Sequence, residues 1–517
     1  MWAKGATYCW LGRNHATGEA TADCGLRKHR GLRTSEALRT ADFGSTADCG
    51  LRAATDVLPP QSGVRSASAV RSPQCFRSPQ SAVGFAYVIP VTDLLIRGKR
   101  VLTPDGVRGA SIHIDRGRIS RVTAWDDVPT DVEVVDAGDH IVMPGVIDTH
   151  VHVNEPGRTE WEGFDCATHA AAAGGVTTIL DMPLNSIPAT TTVAALETKR
   201  KAARGKTVVN VEYIGGVIPG NSGELEGLRD AGVRAFKCFL SPSGVEEFPA
   251  VTENDLREAF PILERLGLPL MVHAEDPSFL RPGPIGGSLH YADWLASRPV
   301  EAERSAIEML VRLMKRWPAR VHIVHLSSAK SLDVVRAAKA AELPITVETC
   351  PHYLTFAAED IPDGATEFKC APPIRSIEER EALWSALIAG DIDLVASDHS
   401  PCPPILKEPD SDFFAAWGGI ASLQISLSAV WTGARARGAP IEKVAKWMSA
   451  STARLAGFEN RKGALVQGYD ADIVIFDDDA RFTVDPVALE HRHAVTPYAE
   501  RELYGKVLST YLAGKVV

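Results

Sequence analysis

Apolar and polar positions fall into two rhythms from about residue 92 onward. An ordered strand signal opens at Thr92-Asp93-Leu94-Leu95-Ile96-Arg97-Gly98. It continues in Ser111-Ile112-His113-Ile114 and Val132-Glu133-Val134-Val135, with Gly or Asp-Gly between the runs. The strand signal returns at Asp470-Ala471-Asp472-Ile473-Val474-Ile475-Phe476 and Ser509-Thr510-Tyr511-Leu512. Half-buried strands at both ends predict one small β-sandwich, its first part 93–143 and its second 456–517.

Between these ends the rhythm changes. Continuous apolar, β-branched runs occupy 145–152, 176–182, 208–217, 233–240, 270–275, 321–326, 345–349 and 392–397, separated by amphipathic helical patterns. Such runs read as strands buried on both faces of a parallel sheet. Eight of them in this order predict an α/β architecture, a (β/α)8 TIM barrel over 144–455. In that fold the chemistry sits at the C-terminal strand ends.

Residues 1–92 share neither rhythm. Thr21-Ala22-Asp23-Cys24-Gly25-Leu26-Arg27 recurs from Thr46 to Arg52, and Arg71-Ser72-Pro73-Gln74 recurs from Arg77 to Gln80. These repeats are too short and irregular for a solenoid. With no apolar periodicity the segment reads as disordered. It carries 11 Lys and Arg against 6 Asp and Glu, a net of +5, which leaves −15 for the rest of a chain whose formal charge is −10. An organelle transit peptide is one reading, weakened by the six acids. The plainer expectation is a spurious extension, translated from a start placed too far upstream, with the native start at a non-Met codon near Val88 or Val91.

Composition narrows the function. Apolar residues make up 45% and charged residues 23% of 517, ordinary for a soluble protein. The acidic balance and the lack of a basic stripe argue against a nucleic-acid partner. No apolar run approaches the ~18 residues of a membrane span. Nine cysteines without a CxxC pair suggest thiols in a reducing cytoplasm.

Polar residues then cluster where the barrel predicts them. The first strand ends in His150-Val151-His152, and alternation puts both imidazoles on one face about 6.6 Å apart. Lys237 lies within Phe236-Lys237-Cys238-Phe239. Later strands end at His273-Ala274-Glu275, His325-Leu326-Ser327 and Asp398-His399-Ser400. Taken singly, a buried histidine is often structural and Asp398 could cap a helix. Together, at successive strand ends, they point to a two-metal site. Lys237 is the key, because an unpaired buried ammonium costs several kcal/mol and would repel two cations. A neutral amine that takes up carbon dioxide becomes an anionic carbamate able to bridge them. Two divalent cations against the carbamate, Asp398 and a hydroxide leave one net positive charge, suited to an oxyanion forming on a substrate carbonyl. Nitrogen and oxygen donors favour zinc, with cobalt or manganese possible.

The chain resembles the cyclic amidohydrolases of the amidohydrolase superfamily. The resemblance rests on the run from Gly145 through His150-Val151-His152 to Phe164, on Asp181-Met182-Pro183-Leu184-Asn185-Ser186-Ile187-Pro188, and on Phe236-Lys237-Cys238-Phe239-Leu240. It continues in Glu348-Thr349-Cys350-Pro351-His352-Tyr353-Leu354, in Ser397-Asp398-His399-Ser400-Pro401-Cys402, and from Lys462 to Asp472. It implies that His150, His152 and Asp398 bind one metal, that His273 and His325 bind the other, and that Lys237, as N6-carboxylysine, bridges them. It also implies that a hydroxide held between the metals attacks a ring amide. Asp398 would accept the proton and pass it to the leaving nitrogen. A homotetramer follows by analogy.

Two departures bear on the ring that is opened. Dihydroorotases of this group carry Arg two residues after the second histidine, where this chain has Asn154. Dihydropyrimidinase-type members place Tyr soon after the lysine, where this chain runs Phe239-Leu240-Ser241-Pro242-Ser243. Both favour allantoin, a neutral hydantoin with a ureido arm, opened to allantoate in purine catabolism. Asn185 and Ser400 are candidate substrate contacts and equally plausible turn and cap residues. A hydantoinase or dihydropyrimidinase activity is the alternative. A non-catalytic scaffold on the same fold is the reading of another class, and the full set of six ligands speaks against it. Cys238, Cys350, Cys370 and Cys402 read as buried thiols, His169, His290, His491 and His493 as surface residues, and His322 as uncertain in its facing.

Overall fold

The computed structural model describes residues 93–408 and 412–517, so the expectation for residues 1–92 lies outside the described residues. Strand β1 (Leu94–Thr103) forms antiparallel hairpins with β2 (Gly106–Asp115), and β2 with β3 (Arg118–Thr123). Two short strands, β4 (Glu133–Asp136) and β5 (Ile141–Pro144), run parallel to β1. One residue later the chain enters the barrel.

The barrel strands are β6 (Val146–Val151), β7 (Val176–Asp181), β8 (Asn210–Gly216), β9 (Ala235–Phe239), β10 (Leu270–His273), β11 (Val321–Ile323), β12 (Ile345–Thr349) and β13 (Leu394–Val395). They pair in sequence order, all parallel. A parallel bridge from Val151 to His399, just past β13, joins the last segment to the first. The chain ends in β14 (Ile473–Thr483), β15 (Glu502–Leu512) and β16 (Lys515–Val516). β14 lies antiparallel to β5, Val142 opposite Ile475, so both ends of the described chain share one mixed sheet in the order β16-β15-β14-β5-β1-β2-β3. The fold is thus a (β/α)8 barrel with a smaller β-sandwich domain drawn from both ends. That domain's own core includes Ile96, Val101, Ile112, Val142, Ile473 and Tyr511.

Alternation within the strands decides what points inward. Phe236, Cys238, Leu270 and Val272 pack outward with the helices, whereas Ala235, Phe239, Met271, Ile214 and Val324 fill the inside. Each such fully buried Leu, Ile or Phe is worth about 1.5–3 kcal/mol. Lys237, between Ala235 and Phe239, is carried by the same parity into the interior, and it is fully buried. β13 is shorter than the run at 392–397 suggests. The Ser397 amide donates to the Asp148 carboxylate rather than to a strand carbonyl, so the backbone leaves the sheet there.

The turn after β7 rests on a buried ion pair. Lys199, on the helix Val193–Ala203, lies 2.7 Å from Asp181 at the end of β7 and donates to the Met182 carbonyl. Asp181 in turn accepts the amide of Val153, just beyond the His150-Val151-His152 run. Among the described residues no helix is long and apolar enough to cross a membrane. Lys199→Met leaves the Asp181 charge buried without its partner and is expected to cost about 3–5 kcal/mol of stability. Denaturant unfolding measures this, and a loss below about 1 kcal/mol contradicts the structural role.

Candidate metal centre

All six residues singled out for metal binding line one cavity at the C-terminal end of the barrel. β6 slips register against β7 between Asp148 and Val151, and His150 and His152, at and just past its end, both line the cavity. Their rings lie 5.5 Å apart. The Nε2 atoms of His150 and His152 face Asp398 Oδ1 at 3.2 and 3.4 Å. On the opposite side, His273 Nδ1 lies 3.0 Å from His325 Nε2. Among the described residues Lys237 Nζ has no hydrogen-bond partner, and it sits 4.7 Å from the Phe239 ring centre.

The ring nitrogens facing the cavity are set from behind. His150 Nδ1 donates to Glu348 Oε1 at 2.6 Å, leaving Nε2 with a free lone pair. His273 Nε2 donates to Glu275 Oε2 at 2.6 Å, leaving Nδ1 for the cavity, and Arg298 pairs with the same Glu275 oxygen. Asp148 accepts the His150 amide at 3.1 Å and the Ser397 amide at 3.2 Å, clamping β6 to the segment that carries Asp398. Four site residues hold left-handed backbone: Asn154 at φ 67, Asn185 at 65, His325 at 41 and Asp398 at 47. For non-glycine residues that costs on the order of 1–3 kcal/mol each and persists only where the surroundings impose it.

Electrostatics follow from burial. It lowers His152 to about 4 and His325 well below the usual value, so both rings are neutral donors at pH 7. Burial pulls Lys237 down to about 8 against Asp398 and Glu348, so a neutral amine is within easy reach. Burial pushes Asp398 up, but the surrounding His150, His152 and His325 outweigh it and hold its carboxyl well below the usual range. Burial likewise opposes ionisation of Glu348, and His150 and His322 bring it down to about 2. Neutral imidazoles, one ionised carboxylate and an unpartnered buried amine form a donor set suited to divalent cations. The nitrogens of His150 and His152 and an oxygen of Asp398 all lie within 4.8 Å of one another. These residues fit a metal pair.

Asn185 and Ser400 also line the cavity. Asn185 is buried, and its Nδ2 lies 3.5 Å from His152 Nδ1. The Ser400 carbonyl packs so close to Gly419 that a Cβ there would collide with it, which fixes the cavity wall. Asn154 serves the loops: its Nδ2 donates to the Pro401 carbonyl at 3.3 Å. Lys369 and Lys407 donate to the carbonyls of Ala416 and Gly419, pinning the covering segment that carries Trp417. Phe239 stacks on His273 at 4.7 Å.

One histidine expectation is overturned and one open facing is settled. His491 is buried, its ring 4.8 Å from that of His399, because the C-terminal segment packs back onto the barrel. His322 faces inward and donates to Glu348 Oε2 at 2.9 Å. Glu348, within the Glu348–Leu354 motif, has a role that the sequence leaves unassigned. A charged residue inside the apolar run at 345–349 was the available signal, the same one that singled out Lys237.

The sequence profile of the amidohydrolase family matches residues 141–517. The chain is 51% identical over 424 residues to an allantoinase of Streptomyces avermitilis, covering 82% of this chain and 95% of that protein. It is 42% identical over 451 residues to the allantoinase of Arabidopsis thaliana, covering 83% and 89%. Among solved structures it resembles the L-hydantoinase (dihydropyrimidinase) of Arthrobacter aurescens, with a TM-score of 0.78 and 31% identity over 83% of this chain and 96% of that one.

Glu348→Gln removes the charge that fixes the His150 tautomer. It is expected to weaken divalent-cation binding by about 10–100-fold, read by competition with a chelator. An unchanged affinity contradicts the orienting role.

Proposed function

The chain belongs to the amidohydrolase family, and from that premise we propose that it hydrolyses allantoin to allantoate at the cavity described above. It is a hydrolase of a cyclic amide, and the allantoinases it resembles come from bacteria, plants, yeast and animals. The observation that carries the site reading is the buried, unpartnered Lys237 amine set among four histidines and Asp398.

In this reading His150, His152 and Asp398 would hold one divalent cation and His273 and His325 the other, zinc being best suited to the donors, and Lys237, as a carbamate, would serve both. Its neutral amine would add to carbon dioxide, forming an N–C bond and releasing one proton, which turns a neutral buried side chain into an anion. When bound, the cations supply an activated water and polarise the ring carbonyl.

The remaining work falls to the protein. Asp398, ionised at neutral pH, accepts the proton of the attacking water and delivers it to the departing ring nitrogen. The ring C–N bond breaks as the new C–O bond forms, and the product is a ureido acid. Asn185 and Ser400 face the substrate from the cavity wall. Asn154 offers no cation for a substrate carboxylate, which agrees with a neutral ring such as allantoin.

Lys237→Ala is expected to lose tightly bound metal and turnover together, with partial recovery of both on adding short carboxylic acids. Metal analysis and assay decide this, and full metal occupancy in the variant refutes the bridge. Asp398→Asn is expected to keep the fold and lower the rate by at least about 10²–10⁴-fold, and near-normal turnover sinks its proton-transfer role. On a panel of cyclic amides, allantoin is expected to give the highest kcat/KM. A preference for dihydrouracil supports the dihydropyrimidinase reading. No hydrolysis of any ring with zinc, cobalt or manganese supplied supports a scaffold.

A further inference from the structure

Behind Asp398 lies a second group of potential ligands that the proposed reaction does not use. Cys350 follows β12, and His352 sits in the short helix Pro351–Thr355 that comes next. The Cys350 sulfur, a ring nitrogen of His352 and a carboxylate oxygen of Asp398 all lie within 4.8 Å of one another, and all three residues are buried.

His352 is the anomaly. Buried imidazoles normally find hydrogen-bond partners, yet neither His352 nitrogen has one among the described residues. With neither nitrogen engaged there, the ring has donor capacity to offer a cation. Among the described residues Cys350 is in no disulfide. Nearby Cys370, by contrast, spends its thiol on the Pro372 carbonyl. Sulfur, imidazole nitrogen and carboxylate oxygen together match a borderline-soft cation rather than magnesium or calcium.

We propose that Cys350, His352 and Asp398 form an inhibitory site for a third, thiophilic divalent cation such as excess zinc or cadmium. The inference rests on the proposed role of Asp398, which both sites share. Of the three ligands, Asp398 alone lines the catalytic cavity, so the ion enters past it. On binding, the Cys350 S–H bond breaks, a sulfur–cation bond forms, and the proton passes to solvent, with no change of oxidation state. The Asp398 carboxylate is then engaged and unavailable to carry the proton of hydrolysis.

The test uses the purified metal-loaded enzyme, freed of excess zinc and titrated with cadmium chloride. The expected result is a third equivalent per chain, bound without release of zinc. Turnover falls in step with a rising ultraviolet absorption from thiolate to cadmium. Cys350→Ser is expected to abolish that absorption and to raise the inhibitory cadmium concentration by at least about tenfold. His352→Gln is expected to keep the absorption but to need more cadmium to reach it, so a fold defect in one variant leaves the other informative. No third equivalent, or undiminished inhibition in Cys350→Ser, overturns the site. Fewer than two tight cations in the starting enzyme contradicts the dinuclear reading itself, and the shared-ligand site falls with it.

Discussion

A lysine amine buried without a hydrogen-bond partner among the described residues, at the focus of four histidines and an aspartate, is the constraint on which the rest of the site depends. Left as an ammonium it forfeits several kcal/mol of solvation and repels any cation placed beside it. Left as a neutral amine it wastes a buried polar group. Conversion to an anion resolves both costs at once, provided positive charge is close by. The neutral imidazoles of His152 and His325 and the ionised Asp398 are an environment in which paired divalent cations would supply that charge.

The framework holds this arrangement through contacts that stand one step back from it. Glu348 and Glu275 each take the proton-bearing nitrogen of one histidine, so the opposite nitrogen faces the cavity. Asp148 ties the irregular end of β6 to the segment after β13, and the Lys199–Asp181 pair steadies the turn beside it. These ties make left-handed backbone at His325 and Asp398 tolerable. The strain sits where side chains must leave the regular sheet direction to converge, a placement common at functional sites.

Much of this was legible in the sequence, and the physical reason is parity. Strand period fixes which side chains enter the barrel, and strand-end position fixes which of those reach its mouth. His150, His152, Lys237, His273, His325 and Asp398 were found on those two rules, and the structure brings them to one cavity. What escaped depends on contacts distant in sequence. Glu348 pairs with His150 across 198 residues, and no local pattern encodes that. His491 is buried because the C-terminal segment returns to the barrel, although its own neighbours in the chain read as polar. The brevity of β13 reflects the Asp148 carboxylate capturing a single amide, which outcompetes a strand bond that the apolar run at 392–397 would otherwise favour.

The most direct measurement is a ¹³C NMR spectrum of enzyme loaded with zinc in ¹³C-labelled bicarbonate. A carbamate-bridged pair predicts one protein-bound carbamate carbon that persists after dialysis, accompanies two tightly held cations, and is absent from Lys237→Arg. A chain that holds two cations and turns over substrate with no such carbon contradicts the conversion of Lys237, and with it the charge balance on which the site is built.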